Sequence, residues 1–246
     1  MLILFRDLFA PPRHLILLVI AAWLGLSLAE KRSEQHGISK EMLNNITFYS
    51  LLGYVIGGRV LYAAAHFSAF SKSPLSLFTL NPDLFDPLSA ALTAILIGFI
   101  YGQRQKLSLW PALDSLTPLF AVIAIGLSLS HLAAGTAFGS PTNMPWGIDL
   151  WNATRHPTQI YEFIASLLTF SLLWFKRPDS RPGLYFITFT ALTALARLII
   201  EAFRGDSLII LGGFRQAQIY AWLVLVLSFI LFEYIQAQPK ERPDNG

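Results

Sequence analysis

The sequence predicts an all-α membrane protein that crosses the bilayer about seven times. Of the 246 residues, 54% are hydrophobic and only 13% are charged, whereas about 25% are charged in an ordinary soluble chain. Apolar runs of the length that spans a bilayer core, roughly 20 residues, recur along the chain. We therefore expect one polytopic membrane domain over residues 1–246, ending in a polar tail at 238–246.

The first predicted span is an uncleaved helix. The apolar run that follows Arg13 could mimic a signal peptide, but no small-residue cleavage site precedes Glu30, so we expect this helix to be retained. The predicted spans are 13–30, 46–66, 86–102, 112–134, 158–175, 183–202 and 216–236.

Basic residues predict the orientation of these spans. The loops 31–45, 103–111 and 176–182 and the C-terminal tail carry ten lysines and arginines, against six in the loops on the other side. Cytoplasmic loops are enriched in these residues. The N-terminus is therefore expected outside and the C-terminus in the cytoplasm, which places the intramembrane charges near the outer headgroups.

Composition excludes several kinds of site. The chain has no cysteine, which rules out disulfides, thiolate metal sites and a cysteine nucleophile of its own. The net charge of +3 is small and agrees with the loop asymmetry better than with a nucleic-acid footprint, so we expect no nucleic-acid partner. The histidines lack metal-ligand spacing and no nucleotide-binding loop is present, so we expect neither metal nor cofactor.

One polar stretch, Arg155-His156-Pro157-Thr158-Gln159-Ile160-Tyr161-Glu162, directly precedes an apolar run. Proline suits the first position of a helix, which predicts a loop ending at His156 and a helix beginning at Pro157. Gln159 and Glu162 then share one helix face. Ionisable residues inside a membrane usually mark a functional site.

A charged stripe lies at the end of the sixth span. Arg197, Glu201 and Arg204 are spaced i, i+4, i+7 and lie on one helix face. We expect Glu201 to neutralise Arg197 inside the bundle, as a buried pair requires. Arg204 would then be free to meet an anion.

The second span carries Gly57-Gly58-Arg59 and then Tyr62. Small residues let another helix or a lipid approach closely, and a guanidinium fork suits phosphate. Each arginine alone could equally snorkel to the interface, as in a purely structural membrane protein. The convergence of several arginines with His131 and His156 favours an anion site. Asp114, in the first turn of the fourth span, fits either a cap on the dipole of its own helix or a functional role.

The stretch from His156 to Glu162 resembles the H-P-[ST]-Q-L-Y-E motif of prolipoprotein diacylglyceryl transferases. Three further segments are similar to this family in order and spacing: Gly57-Gly58-Arg59 with Tyr62, Asp114 with Pro118, and the stretch from Arg197 to Asp206. The resemblance covers about residues 13–236.

The resemblance implies a phospholipid-dependent transferase in the bacterial plasma (inner) membrane. It would move a diacylglyceryl group from phosphatidylglycerol, or another anionic phospholipid, to the lipobox cysteine of a secreted preprolipoprotein, with glycerol-1-phosphate as leaving group. The implied catalytic residues are His156, His131 and Arg204. The implied substrate-binding residues are Arg59, Tyr62, Arg155, Gln159, Glu162, Arg197, Glu201, Asp114 and Gly139.

The fourth span departs from the family signature G-R-x-G-N-F-x-N-G-E-x-x-G. His131 stands at the position of the arginine and Ala134 at that of an asparagine, and Asp86-Pro87 occupies the place of an H-G-G loop. Histidine is charged only part of the time near neutral pH. An alternative hypothesis therefore stays open, a catalytically altered relative that binds or handles phospholipid without transfer.

Overall fold

A computed structural model describes residues 2–79, 81, 84–175, 181–210 and 212–237. The helices are α1 (Leu2–Leu8), α2 (Leu15–Ser33), α3 (Lys40–Ala65), α4 (Phe67–Phe70), α5 (Pro87–Arg104), α6 (Leu109–Ala134), α7 (Thr158–Phe175), α8 (Leu184–Ile200) and α9 (Gln216–Ala237). Two antiparallel hairpins pair β1 (Ile148–Leu150) with β2 (Ala153–Arg155), and β3 (Ile209–Ile210) with β4 (Phe214–Arg215).

The long helices follow the predicted spans. Among the described residues, five helices are long and apolar enough to cross a membrane: α3, α6, α7, α8 with its 3-10 extension, and α9. Helix α7 begins at Thr158, one residue later than predicted, and the Pro157 carbonyl accepts the amides of Ile160 and Tyr161. The chain is thus a mostly helical membrane protein. The predicted polar tail at 238–246 lies outside the described residues.

Backbone contacts divide the chain into two units, and the smaller one is Gly37–Ala112. Here α3 packs directly on α5. A Cβ atom on Gly57 would lie 2.4 Å from the side chain of Thr93, and one on Gly58 would lie 2.8 Å from Cβ of Ala90. The close helix approach predicted from the paired glycines is confirmed.

The larger unit comprises Met1–His36 and Leu113–Gly246, as far as these are described. Helix α6 is the most buried of the candidate spans. It meets α2 through glycines, because a Cβ atom on Gly126 would lie 2.3 Å from Cβ of Ala21 and one on Gly25 would touch the backbone of Leu119. Helix α8 packs against α7 and α9. The functional residues of α6, α7 and α8 therefore share one packed frame.

Asp114 supports this frame differently from the prediction. Its carboxylate does not cap α6, its own helix, but accepts the backbone N–H groups of Gly183 at 2.6 Å and Phe186 at 2.8 Å. These amides begin α8, and the first amides of a helix have no partner within it. Since Asp114 is only 2% exposed, it acts as a buried tertiary cap. The sequence could not reveal this contact, which joins residues about seventy positions apart.

We predict that Asp114→Ala lowers the free energy of unfolding by about 2 kcal/mol, because two buried amides lose their acceptor. Asp114→Asn should cost less, since its amide oxygen can still accept one hydrogen bond. Chemical unfolding in detergent measures both. Glu41→Gln, in the exposed first turn of α3, is the control and should change little. Equal stability of Asp114→Ala and the native chain would contradict the capping role.

The glycine packing of α3 and α5 predicts a second stability difference. Gly58→Ala should lower the unfolding temperature, because its new methyl group meets Ala90 and Phe85 at less than van der Waals distance. Gly102→Ala is the matched control: this buried helical glycine has nothing closer than 4.0 Å to an added Cβ, and alanine favours helix. Similar melting of both variants would refute tight packing at Gly58.

Candidate functional site

Glu162 is the centre of a charged cluster in the larger unit. Its Oε1 accepts hydrogen bonds from Nη1 of Arg197 and Nη1 of Arg204, each at 2.9 Å. Its Oε2 lies 3.6 Å from Nδ1 of His131. The carboxylate on α7 therefore gathers side chains from α6, from α8 and from the segment that follows α8.

Arg204 is fully engaged, contrary to the prediction that it is free to meet an anion. Besides Glu162, it binds Asp206 through a two-point contact, with Nε to Oδ1 at 2.8 Å and Nη2 to Oδ2 at 2.9 Å. Burial alone would lower the pKa of Arg204, but the bonds and charges of Asp206, Glu162 and Glu201 raise it above its ordinary value. The buried guanidinium is a charged structural clamp in this state.

Arg197 and Glu201 form the ion pair that the stripe predicts. Nη2 of Arg197 lies 2.9 Å from Oε2 of Glu201, and Ser207 donates to Oε1 of Glu201 at 2.6 Å. Glu201 is 1% exposed, whereas 38% of the Arg197 side chain is exposed. Only 10% of the Arg204 side chain is exposed. Of the two arginines that bind Glu162, Arg197 is therefore the one that can reach a ligand with little rearrangement.

A cavity of about 160 Å³ lies between α6, α7 and α8. Alanines on all three helices make room for it, because a short side chain leaves space at a helix contact. One end is charged and the remaining wall is mostly apolar. The lining side chains are Ala121, Ala124, Leu127, Ser128, His131, Glu162, Ala165, Ser166, Thr169, Phe189, Thr193, Ala196, Arg197 and Ile200.

Arg155 and Gly139 belong to the segment between α6 and α7 and do not line this cavity. The Arg155 guanidinium donates to the carbonyls of Leu150 at 3.0 Å and Gly139 at 3.2 Å. Gly139 lies against backbone, and a Cβ atom there would come within 2.2 Å of the His156 carbonyl oxygen. Both residues hold the backbone of this segment together.

His156 also lies away from the cavity lining. Its ring packs 5.1 Å from that of Phe203, and its Nδ1 is 3.3 Å from the hydroxyl of Tyr161. Trp146 donates to the same hydroxyl at 2.8 Å. His156, near the start of the polar stretch, thus belongs to an aromatic cluster, whereas Glu162 at the end of the stretch belongs to the charged cluster.

Gln159 shares the inner face of α7 with Glu162, as predicted, but its contacts are structural. It is 1% exposed, and its Nε2 donates to the Thr136 carbonyl at 2.8 Å. Thr158 beside it donates to the Ala137 carbonyl at 2.7 Å. These two side chains tie the start of α7 to the chain that leaves α6.

Arg59 and Tyr62 belong to the smaller unit and form a separate group. Nη1 of Arg59 donates to the carbonyls of Asn81 and Leu84, both at 2.8 Å. The ring of Tyr62 stacks on His66 at 4.2 Å. Asp86, in the place of the family's H-G-G loop, caps α5, and hydrogen bonds from Ser89 lower its pKa. The substrate-binding roles of Arg59 and Tyr62 stay predictions.

Two residues that bind the cluster were not among the predicted site residues. Asp206 clamps Arg204, and Gly205 between them touches the Gly139 carbonyl so closely that a Cβ atom would lie 2.6 Å away. Arg215, on β4, donates to the carbonyl of Arg204 at 2.6 Å and to the Ser207 hydroxyl at 2.7 Å. The R-G-D spacing at 204–206 was a usable signal for Asp206. No local pattern points to Arg215.

We predict that Arg204→Lys lowers the free energy of unfolding by about 1–3 kcal/mol, because an ammonium keeps the charge but cannot reproduce the fork on Asp206. The exposed Arg13 donates once, to the Asp7 carbonyl, so Arg13→Lys is the matched control and should change stability by less than about 0.5 kcal/mol. Thermal unfolding in detergent compares them. A fully stable Arg204→Lys protein would show that the clamp contributes little.

Comparison with known proteins places this chain in a family. The family model described as prolipoprotein diacylglyceryl transferase matches residues 14–234. Curated relatives carry the name phosphatidylglycerol–prolipoprotein diacylglyceryl transferase. The relative from Trichormus variabilis is 25% identical, covering 93% of this chain and 87% of its own length. The relative from Thermotoga maritima is 27% identical, covering 92% and 81%, and that from Clostridioides difficile is 27% identical, covering 92% and 91%. The chain belongs to the prolipoprotein diacylglyceryl transferase family.

Proposed function

We propose that this protein transfers a diacylglyceryl group from phosphatidylglycerol to the thiol of a lipobox cysteine in a prolipoprotein. The family and the names of the relatives support this reaction. One observation carries it to this chain: the cavity between α6, α7 and α8 is apolar along its wall and ends on His131, Glu162 and Arg197. An amphipathic lipid needs such a division between a charged and an apolar end.

The size of the cavity limits what it holds. A volume of about 160 Å³ is close to the cavity of about 150 Å³ that admits benzene. It can take the glycerophosphate portion or a short length of one acyl chain, but not two chains. The rest of the lipid must lie in the bilayer, against the exposed apolar faces of the spans.

The chemistry needs a proton acceptor and a cation. The thiol sulfur attacks the glyceryl carbon that bears the phosphate, forming the C–S bond as the C–O bond breaks. The electron pair leaves with glycerol-1-phosphate, and the thiol proton passes to a base. Arg197 is placed to stabilise the phosphate charge, because it lines the cavity. Histidine is a suitable base near neutral pH, and both His131 and His156 are candidates.

We further infer that this single polytopic domain crosses the bacterial inner membrane seven times, with the N-terminus outside. Helices α2 and α5 add two spans to the five apolar helices, and the excess of lysine and arginine in alternate loops supports the orientation. The site residues near the outer ends of α6 and α8 would then meet secreted substrates at the outer headgroups.

Transfer is tested with the full chain in vesicles that contain phosphatidylglycerol labelled in its diacylglyceryl group. A lipobox peptide should gain the label as a thioether detected by mass spectrometry, while the matched peptide with serine for cysteine should not. We expect Arg197→Gln to lower kcat/KM by about 100-fold or more, as loss of one oxyanion donor does. Arg104→Gln, at the end of α5, serves as the control arginine.

A second function is favoured by one observation, the histidine that replaces the family arginine at position 131. A chain that only binds or handles phospholipid would retain phosphatidylglycerol through mild extraction and would yield no thioether with any anionic donor. That combination of results would replace the transferase proposal.

A further inference from the structure

The structure distinguishes the two candidate bases. His131 lines the cavity, whereas His156 is absent from its lining and packs on Phe203. Nδ1 of His131 is buried and has no hydrogen-bond partner among the described residues. The Glu162 carboxylate faces it at 3.6 Å, longer than a hydrogen bond but close enough to attract a proton on the ring.

The charges around His131 balance when its ring is neutral. Glu162 faces it from α7, and Arg197 and Arg204 bind that same carboxylate. A positive charge on His131 would also repel one on His14, which precedes α2. The connected cluster holds three carboxylates and three guanidiniums, namely Glu162, Glu201, Asp206, Arg197, Arg204 and Arg215. A proton on His131 therefore creates one unmatched positive charge.

We propose that Glu162 couples proton transfer at His131 to the release of an arginine for the leaving phosphate, an inference that rests on the transferase function proposed above. In the resting state the Glu162 carboxylate holds Arg197 and Arg204. His131 takes the thiol proton as the sulfur attacks, and the new imidazolium draws the carboxylate toward it. Arg197, relieved of this partner, turns its Nη1 to the phosphate as the C–O bond breaks. Glu162 is a positioning residue in this scheme, and His131 is catalytic.

The geometry allows this exchange at low cost. Closing the gap between Glu162 and His131 from 3.6 Å to a charge-assisted hydrogen bond of about 2.8 Å needs less than one ångström of movement. Neither arginine is left alone, because Arg197 keeps Glu201 and Arg204 keeps Asp206. Breaking buried ion pairs outright would be far more costly.

His131→Arg separates a base from a simple cation. Arginine keeps a positive charge and matches the family signature, but it cannot accept a proton. We expect it to lower kcat by about 100-fold or more at every pH, in the range general-base catalysis contributes, and His131→Asn should do the same. His36→Asn, in the short 3-10 turn that follows α2, is the control. Wild-type or higher activity of His131→Arg would overturn the proposal.

Glu162→Gln tests the coupling. The amide keeps the volume and can still accept a hydrogen bond, but it has no negative charge with which to hold the arginines or attract an imidazolium. We expect kcat to fall at least tenfold while KM for phosphatidylglycerol stays equal or falls. Glu162→Asp, which keeps a carboxylate, should retain more of the activity than Glu162→Gln. A raised KM, or an equal loss of activity in the two variants, would indicate a merely structural role and would refute the coupling.

A binding measurement keeps the test independent of turnover. Glycerol-1-phosphate is titrated into the full chain in nanodiscs between about pH 5 and 8, where histidine changes charge. Because the phosphate group of the ligand also changes charge in this range, the His131→Asn variant supplies the baseline. Wild type should gain at least fivefold in affinity over that baseline as the pH falls, and Glu162→Gln should lose this gain. No gain in wild type overturns the coupling. A gain in affinity without any thioether product leaves the link between His131 protonation and phosphate binding in place but refutes the transferase function.

Discussion

The pairing of charge inside an apolar bundle is the constraint on which this structure depends. Three carboxylates and three guanidiniums form one cluster in the larger unit, and the Glu162 carboxylate faces side chains from α6, from α8 and from the segment that follows α8. An unpaired charge in such surroundings would cost several kcal/mol. Each member therefore fixes the position of the next, and the chain beyond α8 is held to the bundle by the bonds from Arg204 to Glu162 and from Ser207 to Glu201.

Small side chains provide the complementary part of the design. Glycines let α2 reach α6 and let α3 reach α5, whereas alanines on α6, α7 and α8 leave a cavity between them. The same reduction in side-chain size thus produces tight packing in one place and empty volume in another. The charged cluster and the Asp114 cap on α8 help to hold the helices around this cavity.

The polar stretch before α7 divides into a scaffold and a chemical part. The side chains of Arg155, Thr158 and Gln159 donate hydrogen bonds to backbone carbonyls. The ring of His156 packs against that of Phe203. Glu162 alone of this stretch lines the cavity. Histidine at position 131 places an imidazole, a group that can exchange a proton, beside the Glu162 carboxylate.

The sequence alone determined the helical membrane architecture, the positions of the five long apolar helices to within two helical turns, the Arg197–Glu201 pair and the family, because periodicity, apolar length and short motifs are local properties. The tertiary structure decided which charges are free. Arg204 is clamped by Asp206 and Glu162, Arg155 is bound to backbone, and Asp114 caps a helix other than its own. Such contacts join residues far apart in the chain, and only the packing of helices determines which partners come within hydrogen-bond distance.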